Sequence, residues 1–411
     1  MKKRLSGPAY FLPVILLCRL FLFPATLASQ PHYPYGFRNL PVTMGRTVPA
    51  YTAVQDSSRF LWIGTESGLL KYDGYRSVHY GFRHGDSTSL CHDHVNALLY
   101  CPEYGRMAVG TDAGVSVYDF SSDRFYTLRA CGYRQVKSLL LDGDVLWVGT
   151  ADGLLRFSCG KGLPESGAEA DIVEDLPSLH IACCRKIGGD IWFGAYDWIY
   201  RMDASGKMEK HPLPYRDRYH NNLVIDIAPD PSSPGSLLLG TEHGLIRYSP
   251  RDKRSSMEIE GVPVKYFFTY SSGFTWIGTD NGLFIKDNAG GLVRYSHRSG
   301  DSSSLPNNVV WYICRDNDGD IFVCTDHGIS LAEISSGYFF RPVPDGPHGG
   351  GGQDVKVMTF DTGGNLWLGG MNGLIKENPD GSMAGWYRAD RGPRGMRLAH
   401  SKVRDLHDDG A

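Results

Sequence analysis

The chain has 411 residues, 12% of them aromatic and 21% charged, with 50 glycines and a formal net charge of −3. Setting aside Lys2, Lys3, Arg4 and Arg19 at the start leaves 38 basic residues against 45 acidic ones. With no cluster of Lys or Arg, that balance excludes a nucleic-acid binder, because phosphate contact needs clustered cations.

Residues 1–28 have a basic start, an apolar middle and a small residue at Ala28, as a secretory signal does. Arg19 interrupts the apolar run, and an uncleaved signal anchor is the competing reading. Cys18 follows Leu17 rather than a small residue, which argues against a lipoprotein cleavage site. After residue 30 no apolar stretch approaches the ~20 residues that span a bilayer. The remainder is therefore expected outside the cytoplasm.

The segment 37–43, FRNLPVT, reads as a lone outer strand of the kind that closes a ring by joining a last sheet. From about residue 50 one unit then recurs. Its fourth residue stands at Gly64, Gly110, Gly149, Gly194, Gly240, Gly278, Cys324 and Gly369. Steps near 40–45 residues with four short β segments per unit are the signature of a β-propeller blade. The second unit shows the four segments: 95–100, 106–112, 114–119 and 124–129. Between its second and third strands, Asp-Ala-Gly supplies the positive φ that a two-residue hairpin needs.

In LWIGT, residues 61–65, both faces are apolar, because each blade lies between two neighbours. Trp62, Trp147, Trp192, Trp276 and Trp367 share one slot and are expected to pack between blades. The glycine two positions on is expected to admit a neighbouring side chain. Repeated Tyr-Asp pairs such as Tyr72-Asp73 read as strand ends entering turns.

Eight units end near residue 388, and 401–411 reads as the first strand of a ninth. The expected organisation is a seven-bladed first propeller over 37–355 and the beginning of a second over 356–411. A single eight-bladed ring is the alternative.

Of nine cysteines, eight follow residue 30 and none forms a C-x-x-C pair. Most read as buried thiols. Cys314 and Cys324, on expected neighbouring strands, are the best candidates for a disulfide. Cys91-His92-Asp93-His94 has the composition of a metal site but no partner at a sensible spacing, and reads as a loop. Asp316-Asn-Asp-Gly-Asp and Asp361-Thr-Gly-Gly-Asn read as strand one–two turns. No nucleophile elbow or phosphate loop occurs. Neither a catalytic residue, nor a cofactor, nor a metal is expected.

Units four and seven depart from the pattern. Ala195 replaces the threonine, Trp198 the turn glycine, and Cys324 the strand glycine. Tyr196, Asp197 and Trp198 thus put two aromatics and a carboxylate into one turn, on the face where propellers take ligands. They are the candidate ligand-binding residues. The longest connections are about 157–180, 202–224 and 335–355.

Units of the form D-x-x-G-x-L-W-I-G-T-x-x-G-L-x-x-Y-D, clearest at Leu61–Asp73 and Asp361–Leu374, resemble the two-component regulator propeller repeat. So do the links FRHGDSTSLCHDHVNALLY, from Phe82, and HRSGDSSSLPNNVVWYICRDNDGD, from His297. The likeness runs from about 37 to 411. It implies the periplasmic sensor region of a Bacteroides-type hybrid two-component system. Such a sensor binds a carbohydrate-derived signal, works as a homodimer, and relays to a histidine kinase through a membrane helix. The helix and kinase are absent from these 411 residues. A secreted propeller lyase or glycosidase and a protein-binding scaffold stay open as alternatives.

Overall fold

The computed structural model describes residues 35–42, 48–160, 162–174, 176, 178–269, 273–334, 355–371, 373–378, 383–389 and 396–406. The expected signal over 1–28 and most of the 335–355 connection lie outside these residues.

The fold is an all-β propeller: the strands form eight four-stranded antiparallel sheets, here numbered one to eight in chain order. Each runs inner strand, LWIGT-type strand, third strand, outer strand. The inner strands of the first seven are Ala50–Gln55, Val95–Cys101, Val136–Asp142, Cys183–Ile187, Val224–Pro229, Val264–Thr269 and Val310–Arg315. Each neighbours the next, and the last neighbours the first, so the circuit surrounds a central lumen. The seventh sheet takes its fourth strand from the other end of the sequence. Tyr35–Asn39 pairs with Gly328–Ile334, Phe37 lying opposite Ala332. Two kindred loops hold outer strands. The Phe125 amide donates to Thr88 O and the Phe37 amide to Ser303 O, at 3.1 and 2.8 Å. Ser89 and Ser304 brace those loops alike, their hydroxyls donating to Asp86 O and Asp301 O.

Repetition in sequence becomes repetition in packing. Trp62 is buried among Leu90, Val95, Met107 and Tyr118 of sheet two. Trp147 packs on Ile191 and Phe193 of sheet four, Trp192 on Val224 and Leu237 of sheet five, and Trp276 on Val310 and Val323 of sheet seven. Each indole thus fills the gap to the next sheet. The indole N–H groups of Trp62 and Trp367 donate to Asp56 and Asp361, both at 2.8 Å. This explains the Asp that opens the repeat. Its other oxygen accepts turn amides, as Asp316 accepts from residues 318, 319 and 320.

The strand-two glycines face the first residue of the following inner strand. A Cβ on Gly64 would stand 2.6 Å from Val95 Cγ1, on Gly110 2.6 Å from Val136 Cγ1, and on Gly240 2.8 Å from Val264 Cγ1. Gly369 of sheet eight meets Val403 the same way, at 2.6 Å, so 403–406 docks where a further inner strand belongs. Between sheets seven and one the sizes are exchanged. The glycine is Cys324, fully buried, and the valine is Ala50, buried in the same cluster.

The threonine of GTxxG closes the hairpin. Thr65, Thr111, Thr150, Thr241, Thr279 and Thr325 each donate to the carbonyl of the glycine three residues on.

The expected Cys314–Cys324 disulfide does not form. Antiparallel register sets Cys314 opposite Phe322 and Cys324 opposite Tyr312, so the thiols stand diagonally rather than face to face. All eight described cysteines are free, and burial pushes the Cys314 thiol up to about 12.

Candidate ligand-binding face

Inner strands begin on the face where the strand two–three turns lie, so in sheets one, two, three, six and seven the second residue of the inner strand meets those turns at one mouth of the lumen. Tyr51, Asn96, Lys137, Lys265 and Trp311 hold that position, all half-buried. Their polar ends join turn carboxylates. Trp311 Nε1 donates to Asp326 at 2.6 Å, and Lys265 Nζ lies 3.3 Å from Asp280. Asn96 and Gln135 donate to one oxygen of Asp112 at 2.8 and 2.7 Å, and His94 Nδ1 stands 3.7 Å from the other.

Aromatic contacts bind these pairs into an arc. Tyr51 meets Trp311 edge-on at 5.2 Å and stacks on His94 at 4.8 Å. Lys265 Nζ lies 4.7 Å over the Trp311 ring. Burial, then Glu66, Asp326 and Asp112, raises the Tyr51 pKa, because three carboxylates converge on it. Burial pushes the Asp112 carboxyl up, but the Asn96 and Gln135 amides and His94 outweigh it, and the pKa is lowered. An arc of ring faces and carboxylates with free lone pairs suits a neutral polyhydroxylated ligand: rings stack on its apolar face and oxygens accept its hydroxyls.

Deeper in the lumen, Arg185 forms a two-pronged pair with Asp226 at 2.6 and 2.9 Å. Its guanidinium lies 4.8 Å over Tyr266, which meets Tyr312 at 4.1 Å. Side chains of sheets four to seven thus narrow the lumen beneath the mouth.

Tyr196, Asp197 and Trp198 occupy the sheet-four turn of this face. Without the threonine hydroxyl, the turn is built on Asp197, which takes φ +60°, a conformation Asp tolerates. Its carboxylate accepts the amides of Asn221 and Asn222 at 3.2 and 2.9 Å. Tyr196 is 41% exposed, its ring 5.4 Å from His180. Trp198 packs against the cluster between sheets three and four, with Lys210 Nζ 3.7 Å and Arg216 Cζ 4.9 Å from its ring centre. The three residues are therefore divided: one ring at the mouth, one turn brace, one ring at the rim. In the Cys91–His94 segment only His94 joins the mouth; Cys91 meets Thr111, Asp93 accepts the Phe82 amide, and His92 the His94 amide. No group of three metal-ligating side chains occurs among the described residues.

Sequence reasoning passed over Tyr51, Asp112, Lys265 and Trp311. Tyr51, Lys265 and Trp311 share a signal, the position just after the first residue of an inner strand, whereas Asp112 opens a strand two–three turn.

The His180 pKa is lowered by burial and by Lys137. The folded state thus resists a proton that the unfolded chain accepts, so stability should fall as pH drops below the ordinary histidine value of about 6.5. Melting temperatures measured from pH 8 to 5 should decline on the acid side, and His180→Gln should flatten part of that decline. An unchanged slope in the variant would assign the acid response to other groups.

Residues 304–327 match the two component regulator propeller family. That segment carries the repeat. The repeat family accounts for the loop from Ser304 and the strands that follow it. Among solved structures, the extracellular domain of the hybrid two-component system BT4673 from B. thetaiotaomicron is 27% identical, with a TM-score of 0.63 over 90% of this chain and 49% of that one. The extracellular domain of BT3049 from the same organism is 19% identical, with a TM-score of 0.64 over 86% of this chain and 49% of that one, and shares the fold. Virginiamycin B lyase from Staphylococcus aureus, 10% identical with a TM-score of 0.55 over 73% of this chain and all of that one, likewise shares the fold alone. The chain spans about half the length of the two sensor domains it matches. No curated protein sequence matches it.

Proposed function

We propose that this regulator-repeat propeller is the ligand-sensing part of an extracytoplasmic hybrid two-component sensor. In this reading residues 37–355 form the first ring and 356–411 begin a second. The exchanged pair Cys324 and Ala50 supports closure between sheets seven and one, since the inner strand of sheet eight begins with Val355 at the register of Val95. A carbohydrate-derived ligand binds at the mouth, and its presence is passed, within a homodimer, to a histidine kinase across the membrane.

The observation that carries the ligand reading is the arc from His94 through Tyr51 to Trp311, with Asp112 and Asp326 on its flanks. Tyr196 extends it with an exposed ring, Asp197 fixes the backbone beneath, and Trp198 serves the rim.

Screening neutral oligosaccharides against the chain should find a binder. Trp311→Ala should weaken it at least about tenfold, the scale of one stacking ring and one hydrogen bond, with melting nearly unchanged. A binder indifferent to Trp311→Ala would remove the mouth as the site. Turnover of the sugar by the isolated chain would favour the propeller-enzyme reading instead.

A further inference from the structure

Charge is not spread evenly around the mouth. In five of the seven sheets of the circuit the first residue of the strand two–three turn is an acid: Glu66, Asp112, Glu242, Asp280 and Asp326. Sheets three and four break that rule with Ala151 and Tyr196. The ring of carboxylates is therefore open over two adjacent sheets.

A lysine stands at that opening. The mouth has two lysines at the second position of an inner strand. Lys265 has the acid of its own turn, Asp280, at 3.3 Å. Lys137 holds the same position in sheet three, but its turn begins with Ala151, and among the described residues it makes no ion pair. Asp112 of sheet two is the carboxylate whose charge reaches it. That carboxylate is already engaged, by the Asn96 and Gln135 amides on one oxygen and by His94 on the other. Burial lowers the Lys137 pKa against the pull of Asp112, as it does for an ammonium whose charge is incompletely answered. On the side of sheet four the Lys137 charge also acts on His180. The His180 ring meets Tyr196 at 5.4 Å, and Tyr196 is the exposed ring of this face. An ammonium, an imidazole and an aromatic ring thus hold the stretch that the acids leave open.

We propose that Lys137 is a specificity-determining residue of the mouth, selecting a ligand that carries an oxyanion on the part of its body lying over sheets three and four. This rests on the mouth being the ligand site. The anion is a carboxylate or a sulfate ester; either accepts from the Lys137 ammonium and from a His180 N–H. The neutral body of the ligand lies on the arc of Tyr51 and Trp311. Elsewhere the turn acids repel an anion, so the same charge that is welcomed at Lys137 is rejected at the other sheets, and the ligand is held in one orientation.

The test is calorimetric titration of the chain with three disaccharides of one backbone: neutral, uronate-containing and sulfated. At least one acidic form should bind about tenfold more tightly than the neutral one, the scale of one charge-assisted contact, and the preference should shrink as salt is raised. Lys137→Met should abolish the preference with melting within a few degrees of the parent, and Lys137→Arg should retain it. Trp311→Ala should weaken every form that binds. Preference between the two acidic forms names the anion. A neutral form that binds as tightly as the acidic ones, or a preference that survives Lys137→Met, would overturn the role of Lys137 and leave the mouth standing. Should none of the three bind, inorganic sulfate alone decides, with the lysine side-chain signals followed by nuclear magnetic resonance. Sulfate that raises the Lys137 pKa would keep the anion contact while the sugar reading of the mouth falls. Sulfate that leaves Lys137 unmoved would overturn the contact as well.

Discussion

Lys286→Ala is expected to destabilise the propeller by about 3 kcal/mol, the low end of the range for breaking a buried ion pair. The Lys286 side chain is 1% exposed, and its Nζ lies 3.4 Å from Asp230, which is fully buried, and 3.2 Å from Glu258. Arg247 completes the group, 2.5 Å from Asp230 and 3.3 Å from Glu258. Lys286 belongs to sheet six and the other three to sheet five, so the cluster joins two sheets. It stands where sheet five lacks the usual tryptophan, having Leu238 in that slot. Arg247 keeps its bond to Asp230 in the variant, and the loss is therefore partial. Lys286→Met separates charge from packing. If Met costs nearly as much as Ala in urea unfolding, the ion pair is the cause; if Met restores stability, packing is.

The same cluster sets a pH dependence. Burial raises the Asp230 pKa, but Ser232, Arg247 and Lys286 outweigh it, and the pKa is lowered. A carboxyl depressed in the folded state contributes fully above its ordinary pKa of about 4, and that contribution is lost as pH falls below it. Both Lys286 variants should show a shallower loss of stability on that acid limb than the parent.

The second large effect concerns the exchanged pair at the junction of sheets seven and one. Ala50→Val should cost about 1–3 kcal/mol by overpacking against Cys324. Cys324→Gly should cost about 1–2 kcal/mol through lost volume and a freer backbone. The double variant should recover most of both losses, because a valine facing a glycine at this junction recreates the contact of Val136 against Gly110. A cycle of urea midpoints reads this coupling. Losses that simply add, within about 0.5 kcal/mol, would mean that the two positions are independent and that the exchange has no packing significance.

Much of this architecture was legible because it repeats. One copy of LWIGT says little, but the same slot filled by Trp62, Trp147, Trp192 and Trp276 reports an environment, and all four indoles bury against the next sheet. The turn of sheet four was found the same way, as a departure from a rule. Its three residues were read as one site, yet the backbone sends Tyr196 and Trp198 to different places. Tyr196 lies in the turn and Trp198 opens the third strand, and only the pairing of Trp198 with Pro212 shows that its ring meets the outer strand and Lys210.

Strand, turn and glycine positions could be read from the order of residues alone, since they depend on neighbours within a few dozen residues. That order could not determine what meets across the circuit. Tyr51 and Trp311 come together only because the seventh sheet returns to the first, and Arg185 reaches Tyr266 only across an intervening blade. The proposed mouth and the lumen beneath it are made of such contacts. Tertiary structure decided them, because closing the circuit brings side chains from distant repeats within 3–5 Å, where hydrogen bonds and ring contacts act.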